Sequence, residues 1–346
     1  MKKIIALVLS VILVLSLAAC GKEAPQPTTA ATEAPAEVTE KAKDILVEEI
    51  PVVSANVMVL NGTTGFGMAN LMDAAANGEA ALDYTFTVET DASNIVAALV
   101  NGSADIAALP TNAAAAVYNK TQGQVQVLAL NTLGVLYLVT DGSVTVESMA
   151  DLAGQTVYAP AQNPSFILEH LVQANGLTDV TIDNTYAQPA DLNAAVAAGE
   201  VSIAVLPEPM VTVARSQNPD LVVALDLTAE WDKVSQPGSL VQGCVVVRKA
   251  YAEENPEAVK SFLAEYEVSI DTLVNDVQGS AAKIEAHKIF AKAPVAAKAI
   301  PNCNVCFIAG AEMQQAMSQF LSIMHGVAPA SVGGSIPGDD FYCILG

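Results

Sequence analysis

A two-part α/β fold is predicted for this 346-residue chain by three observations. Short apolar runs of strand length alternate with segments of helical period, the pattern of a largely parallel sheet flanked by helices. The alternation stops near Ser148 and starts again, so a second unit of the same kind is expected. Two near-identical junctions, Asn101-Gly-Ser-Ala-Asp-Ile-Ala107 and Ala198-Gly-Glu-Val-Ser-Ile-Ala204, sit one in each unit. In both, a helix ends at Gly, a polar residue follows and a buried strand begins.

The elements follow in order. Met1-Lys-Lys gives a positive start, and residues 4–16 are an apolar core too short to span a bilayer comfortably. Leu17-Ala-Ala-Cys20 then has the small residues of a secretory cleavage site. Residues 21–43, rich in Ala, Pro, Thr and Glu with no apolar period, read as a flexible tether. Strands are expected at 52–60, 84–88, 105–109, 125–130 and 135–140, with helices at 69–77 and 92–101 and an alanine-rich helix ending at 118. In the second unit, strands are expected at 155–158, 180–184, 202–206 and 221–226. Residues 160–165 form a polar loop there, followed by helices at 166–174, at 190–198 and from 207. A long strand at 240–247 precedes helices at 256–275, 280–290 and 312–325. That last block shows no strand pattern and is expected to pack back on the first unit.

The stretch 57–76 organises the first unit. An apolar run ends at Asn61-Gly62, and helical spacing resumes at Met68. Between them, Gly62-Thr-Thr-Gly-Phe-Gly67 combines glycines, which permit positive φ and close approach, with threonine hydroxyls and a helix start rich in free N–H groups. Such a turn suits holding a small molecule, or simply joining a strand to a helix.

Composition excludes several classes. The formal charge of −22, from 37 acids against 15 bases, makes binding to phosphate backbones untenable. Hydrophobic residues reach 52%, but beyond the N-terminus charges, prolines and glycines interrupt every apolar run before about 18 residues. The three histidines, His170, His287 and His325, have no metal-ligand spacing. The glycine-rich turn lacks the lysine of a phosphate-binding loop, and no nucleophile elbow occurs. No catalytic residue, metal or cofactor is expected.

Taken together, the chain resembles the solute-binding proteins of ABC importers, closest to the nitrate/sulfonate/taurine and thiamine-precursor group. The likeness rests on Leu-Ala-Ala-Cys20, the glycine-rich turn, the two junctions, Ser148-Met-Ala-Asp-Leu-Ala-Gly-Gln-Thr-Val157, Glu208-Pro209 and Asn255-Pro-Glu-Ala-Val-Lys-Ser-Phe262. It spans essentially everything from about residue 50. The resemblance implies a periplasmic-binding-protein type II fold, two lobes with a hinge and a ligand cleft between them. Expected boundaries are a signal peptide at 1–19, a tether at 20–49, lobe 1 at 50–138 and 246–346, and lobe 2 at 139–245, with hinge segments at 133–141 and 240–247. It further implies that Cys20 is diacylated, which anchors a monomer to the extracytoplasmic face of the cell membrane. The implied partners are a small-molecule solute, an ABC permease and its ATPase.

On such sheets ligands bind beyond the carboxyl ends of the strands. From lobe 1 the candidates are Thr63, Thr64, Gly65, Phe66 and Thr111, with Asn112 behind them. Phe66 would stack on a flat ligand. From lobe 2 they are Gln162, Asn163, Ser165 and Glu208. Ser165 and Thr111 could equally be helix caps, and Glu208 could merely serve a helix start. As a cleft carboxylate, Glu208 would favour an amine or amino-heterocycle over sulfonate or nitrate. The nearest cation, Arg215, follows about two helical turns later. Tyr158 and Tyr186 are placed within reach of the cleft, Tyr137 in the core, and Trp231 on an apolar surface edge.

In an exported protein, Cys244, Cys303, Cys306 and Cys343 are expected to form disulfides, of unspecified pairing. Cys303-Asn-Val-Cys306 has zinc and redox spacing but no second C-x-x-C. The alternatives are a pyrimidine-precursor synthase on the same fold, whose cysteine-rich motif and nearby histidines are missing here, and a lipoprotein that presents its ligand to a sensor.

Overall fold

The computed structural model describes residues 52–345. The signal peptide expected at 1–19, the lipidation expected at Cys20 and the tether expected at 20–49 all fall outside the described residues. Two sheets divide the chain, and the sequence of strands explains how.

The first sheet begins with β1 (Ser54–Leu60), whose Ala55, Val57 and Val59 point inward by strand alternation. A single helical turn, α1 (Thr63–Phe66), and α2 (Ala69–Ala76) lead to β2 (Asp83–Glu89). Next come α3 (Ala92–Asn101), capped by the Asp91 carboxylate on Ser93 N–H at 2.8 Å, and β3 (Ile106–Pro110). Then α4 (Thr111–Thr121) and β4 (Val125–Thr132) complete the first pass.

The chain crosses at 133–135 into β5 (Leu136–Thr140) and the second sheet. A capping box between Ser148 and Asp151 opens a short 3-10 turn, Met149–Leu152, before β6 (Thr156–Tyr158). The rest of this lobe is α5 (Asn163–Ala174), β7 (Thr181–Asp183), α6 (Pro189–Ala197), β8 (Ile203–Pro207), α7 (Met210–Gln217), β9 (Val222–Asp226) and α8 (Leu227–Val234). A second crossing at 235–242 returns to the first sheet as β10 (Gly243–Arg248). It is followed by α9 (Lys249–Glu254), α10 (Pro256–Asn275), α11 (Val277–Ala286), α12 (Ala293–Ala299), β11 (Val305–Ala309) and α13 (Gly310–Val327).

Strand order is β11-β4-β10-β3-β1-β2 in one sheet and β7-β6-β8-β5-β9 in the other. The two crossing strands are antiparallel to their neighbours: β10 to β3 and β4, β5 to β8 and β9. A strand fed from the opposite lobe starts at the facing edge, whereas β1, β3, β6 and β8 end there. The boundaries expected at 138/139 and 245/246 fall inside β5 and β10. The C-terminal block does contain a strand: β11 pairs with β4 on the sheet edge. Its five residues, flanked by Pro301 and Gly310, carry too short a pattern to show against the helices around them.

The two junctions build matching structures. Gly102 (φ +80°) and Gly199 (φ +73°) end their helices in the left-handed region, and the strands that follow, Ile-Ala-Ala-Leu-Pro110 and Ile-Ala-Val-Leu-Pro207, are buried up to their last residue. Asp105 is fixed by Arg248 at 2.7 Å and by Asn56 N–H at 3.0 Å, which ties β3, β10 and β1 together.

One apolar cluster runs continuously through both lobes along α4, α5, α8 and α13. Trp231 lies within it, fully buried, its Nε1–H donating to Ser239 Oγ at 2.9 Å and its ring against Phe320. This corrects its expected surface position. The charged neighbours that suggest a surface helix occupy one face of α8, and Trp231 the other. Among the described residues no helix is long and apolar enough to cross a membrane.

Candidate functional site

The glycine-rich turn folds as expected, but its glycines serve the protein's own packing. Gly62 has φ +84° and ψ −159°, a conformation only glycine adopts readily. A Cβ on Gly65 would lie 2.3 Å from the Leu60 carbonyl oxygen, and one on Gly67 would lie 2.8 Å from Ile270. These two glycines therefore let α1 sit on β1 and on α10. Phe66 is wholly buried, its ring edge-on to Phe290 in the core beneath the turn, so the expected stacking on a ligand is corrected. In a four-residue helix, position 66 turns back toward the sheet. Thr63 remains half-buried at the strand end. Thr64 is buried, and its carbonyl accepts from Asn131 Nδ2 at 3.1 Å.

Thr111 is also fully buried, and its hydroxyl donates to the Val241 carbonyl at 2.7 Å. A ligand role for it is corrected: the returning crossing segment uses the hydroxyl. Asn112, one residue on, faces the other lobe. Its Oδ1 accepts from Asn163 Nδ2 at 2.9 Å, and Asn163 Oδ1 is buried with no hydrogen-bond partner. Asn163 is not in a loop but opens α5, directly after Gln162, which is exposed and has φ +69°. Ser165 is buried on the first turn of α5 and shares a hydrogen bond with Asn184.

Glu208 is the candidate with the richest surroundings. It follows β8 and is only 3% exposed. One carboxylate oxygen accepts from Thr212 N–H at 3.1 Å and the other from Thr212 Oγ1 at 2.9 Å, so it does serve the start of α7. It also lines a chamber of about 470 Å³. Tyr137, Val211, Thr212, Arg215 and Val223 surround it from the same lobe, while Lys298 and Asn302 come from α12 and the turn beyond it in the other. Burial pushes the Glu208 carboxyl above the usual carboxylate range, against the opposing pull of hydrogen bonds from Thr212 and Asn302 and the charge of Arg215. Tyr137 Oη donates to the Asn302 carbonyl at 2.9 Å, and Asn304 Nδ2 to the Gly134 carbonyl at 2.5 Å, which joins the lobes beside the chamber. Burial first, then the charges of Asp226 and Glu208, raise the Tyr137 phenol, which keeps it a donor.

Tyr137, Lys298 and Asn302 were not foreseen in the site. Alternation along Leu136-Tyr-Leu138 puts Tyr137 on the face opposite its buried neighbours, a signal for its placement. Lys298 and Asn302 come from about 90 residues further along the chain, and only the tertiary fold brings them in. Tyr158 and Tyr186 pack on each other at 6.0 Å against the second-lobe core, away from the chamber lining.

The expected disulfides are also corrected: Cys244, Cys303, Cys306 and Cys343 are all free. Cys303 Sγ donates to the Ala299 carbonyl at 3.2 Å, and Cys244 Sγ to the Leu109 carbonyl at 3.6 Å, so neither points at a partner thiol. Burial pushes the Cys306 thiol up to about 12, outside the range of a reactive thiolate. Among the described residues no group of three or more His, Cys, Asp or Glu side chains is arranged to hold a metal.

Comparison with known proteins places this geometry. The sequence model of the family described as NMT1/THI5 like matches residues 74–279. The fold is similar to an ABC transporter protein from Parabacteroides distasonis, with TM-score 0.72 and 22% identity, over 84% of this chain and 98% of that one. It is similar to the periplasmic aliphatic sulphonate binding protein SsuA from Escherichia coli, with TM-score 0.67 and 16% identity, over 82% and 96% of the two chains. A ligand-binding component of an ABC-type import system from Staphylococcus aureus matches with TM-score 0.65 and 13% identity, over 84% and 97%. Among curated proteins none matches this sequence. At these identities the likeness is one of architecture, the type II two-lobe fold of periplasmic binding proteins.

Proposed function

The chain belongs to the NMT1/THI5-like family, and from that premise we propose that it is the solute-binding component of an ABC importer. The lobes close around a small molecule, the closed protein docks on the permease, and no chemistry is done on the cargo. The observation that carries this reading is Glu208: a buried carboxylate lining a chamber whose walls come from both lobes. A group so placed binds one solute in preference to others, and its wall is completed only when the lobes meet. Neighbours of the same fold are named for sulfonate binding and ABC import, which agrees with the transport role. For this chain, the Glu208 carboxylate in the chamber wall is a hydrogen-bond acceptor, and it favours a solute that offers N–H donors, an amine or an amino-heterocycle, over a simple oxyanion. Cys20, acylated after export, ties the protein to the outer face of the membrane.

The test is a thermal-shift screen with thiamine precursors, amines, sulfonates and nitrate. A solute at a hundred times its Kd stabilises the protein by about 2.7 kcal/mol, a readily measured rise in Tm. Glu208→Gln should then weaken an N–H-donating solute by about tenfold or more. Product formed from a pyrimidine precursor and iron, with no solute shifting Tm, would falsify the transport role. The anchor is tested separately: Cys20→Ala should abolish fatty-acid labelling and release the protein from the membrane fraction.

A further inference from the structure

Resting on that solute-binding reading, we infer that Gln242 is a positioning residue for solute capture: its side chain ties the two crossings between the lobes to each other and sets where Glu208 stands relative to lobe 1. The backbone of Gln242 is bonded to lobe 1. Its N–H donates to the Thr132 carbonyl at 2.9 Å at the end of β4, and its carbonyl accepts from Thr111 N–H at 3.3 Å at the start of α4. The side chain instead reaches the other crossing, where Oε1 accepts from Val135 N–H at 2.7 Å. Val135 stands just before β5 and is bonded to lobe 2, its carbonyl accepting from Glu208 N–H at 2.9 Å. A short relay, Thr111–Gln242–Val135–Glu208, thus joins the start of α4 in one lobe to the chamber carboxylate in the other.

Chemistry requires an acceptor at this point. Val135 is buried and precedes the β5 ladders, so its N–H has no strand partner and must be met otherwise. The Gln242 amide could present either end, and the N–H selects its oxygen. Among the described residues no other side chain hydrogen-bonds one crossing to the other. The crossings also touch: a Cβ on Gly134 would lie 2.7 Å from Leu240 Cδ2, so glycine is what lets them run this close. Two unlinked chains between rigid lobes permit bending, sliding and twisting. Bonded at one point, they leave bending about that point as the easy motion, which is what a hinge needs. The lobes then meet in one register, and Glu208, held through Val135, arrives at the same place in the chamber wall on every closure. Gln242 is not among the residues that line the chamber, so it acts through Glu208 and not on the solute.

The experiment compares Gln242→Met, similar in size but without the acceptor, with Gln242→Glu, which keeps one, in the full chain. Fluorophores at exposed Gln217 on α7 and Lys292 before α12 report the separation of the lobes by energy transfer, and NMR hydrogen exchange reports single amides. Gln242→Met should broaden the distance distribution beyond the parent's and speed exchange at Val135 and Glu208 by about tenfold or more. Amides of the β1–β2 ladder should exchange as in the parent. Gln242→Glu should restore both readouts. A purely structural role would speed exchange in β1 and β2 as well and leave the distance distribution of the folded molecules unchanged. The inference is overturned by an unaltered distribution in Gln242→Met, by unaltered exchange at Glu208, or by Gln242→Glu behaving as Gln242→Met does. Should Gln242→Met fail to fold, Gln242→Ser, too short to reach Val135, enters the same comparison. Neither readout needs a solute, so the two readings fail separately. A confirmed tie with no solute found by thermal shift would sink the transport role alone, and a solute found beside inert Gln242 variants would sink the tie alone.

Discussion

At the scale of single residues, Glu208 combines two duties, and pH separates them. As a helix-start acceptor it gains from ionisation, but burial outweighs this and raises its pKa in the folded protein. A raised carboxyl contributes stability that is fully present below the unfolded-state value and is lost as pH rises through the folded value. Glu208→Gln should thus gain stability relative to the parent as pH rises from the carboxylate range toward neutrality. Paired Tm measurements across that range would show it, and a constant difference would return Glu208 to ordinary capping. The groups that modulate this titration are Thr212, Asn302 and Arg215. In sequence, Glu208 between two prolines at a helix start was open to two readings, a cleft carboxylate or a plain helix-start acceptor, and the second of these duties is visible in its bonds to Thr212. Phe66 carried a similar ambiguity and was misread. An aromatic beside glycines is equally suited to a ligand or to a core, and only the turn of the backbone decides.

At the scale of elements, the junction between β1 and α2 is held from outside. Ser269 on α10 donates its hydroxyl to the Gly67 carbonyl at 2.5 Å and accepts from Leu71 N–H at 3.0 Å, and Asn70 Nδ2 donates to Ser280 Oγ at 2.9 Å. The turn is therefore set by helices about 200 residues away in sequence, a dependence that local patterns do not contain. Gly65→Ala tests whether its glycines serve packing. The added methyl would meet the Leu60 carbonyl and the Val59 and Ile289 side chains, and should cost about 1–3 kcal/mol in urea unfolding. An unchanged midpoint would reopen the role of close approach to a ligand. By contrast, the two junctions that end in Pro110 and Pro207 were readable directly, because a helix-ending glycine, a polar residue and an apolar run together specify one local structure. The strand Val305–Ala309 was not, since pairing with β4 supplies the constraint that its five residues lack.

At the scale of the molecule, the two lobes touch in unlike ways. Along α5, α8 and α13 they share buried apolar side chains, whereas beside the chamber they meet through the Tyr137–Asn302 and Asn304–Gly134 hydrogen bonds. Hydrogen bonds of this kind are each worth about 1 kcal/mol net, so the polar side is the one that parts more easily. The alternation of strands and helices announced two similar units, but which faces of them adhere depends on side chains contributed from both ends of the chain.

That asymmetry has an optical consequence. The chain contains one tryptophan, and Trp231 sits on the apolar side, 4.7 Å from the His170 ring and 5.9 Å from Phe320. Selective excitation of the indole therefore watches one junction without any label. Burial keeps His170 uncharged at neutral pH, so proton-dependent quenching should be confined to acid conditions. If the lobes swing about the apolar junction, solute binding should leave the emission maximum fixed in the blue. If they separate through it, the unliganded protein should emit further to the red and shift back on saturation.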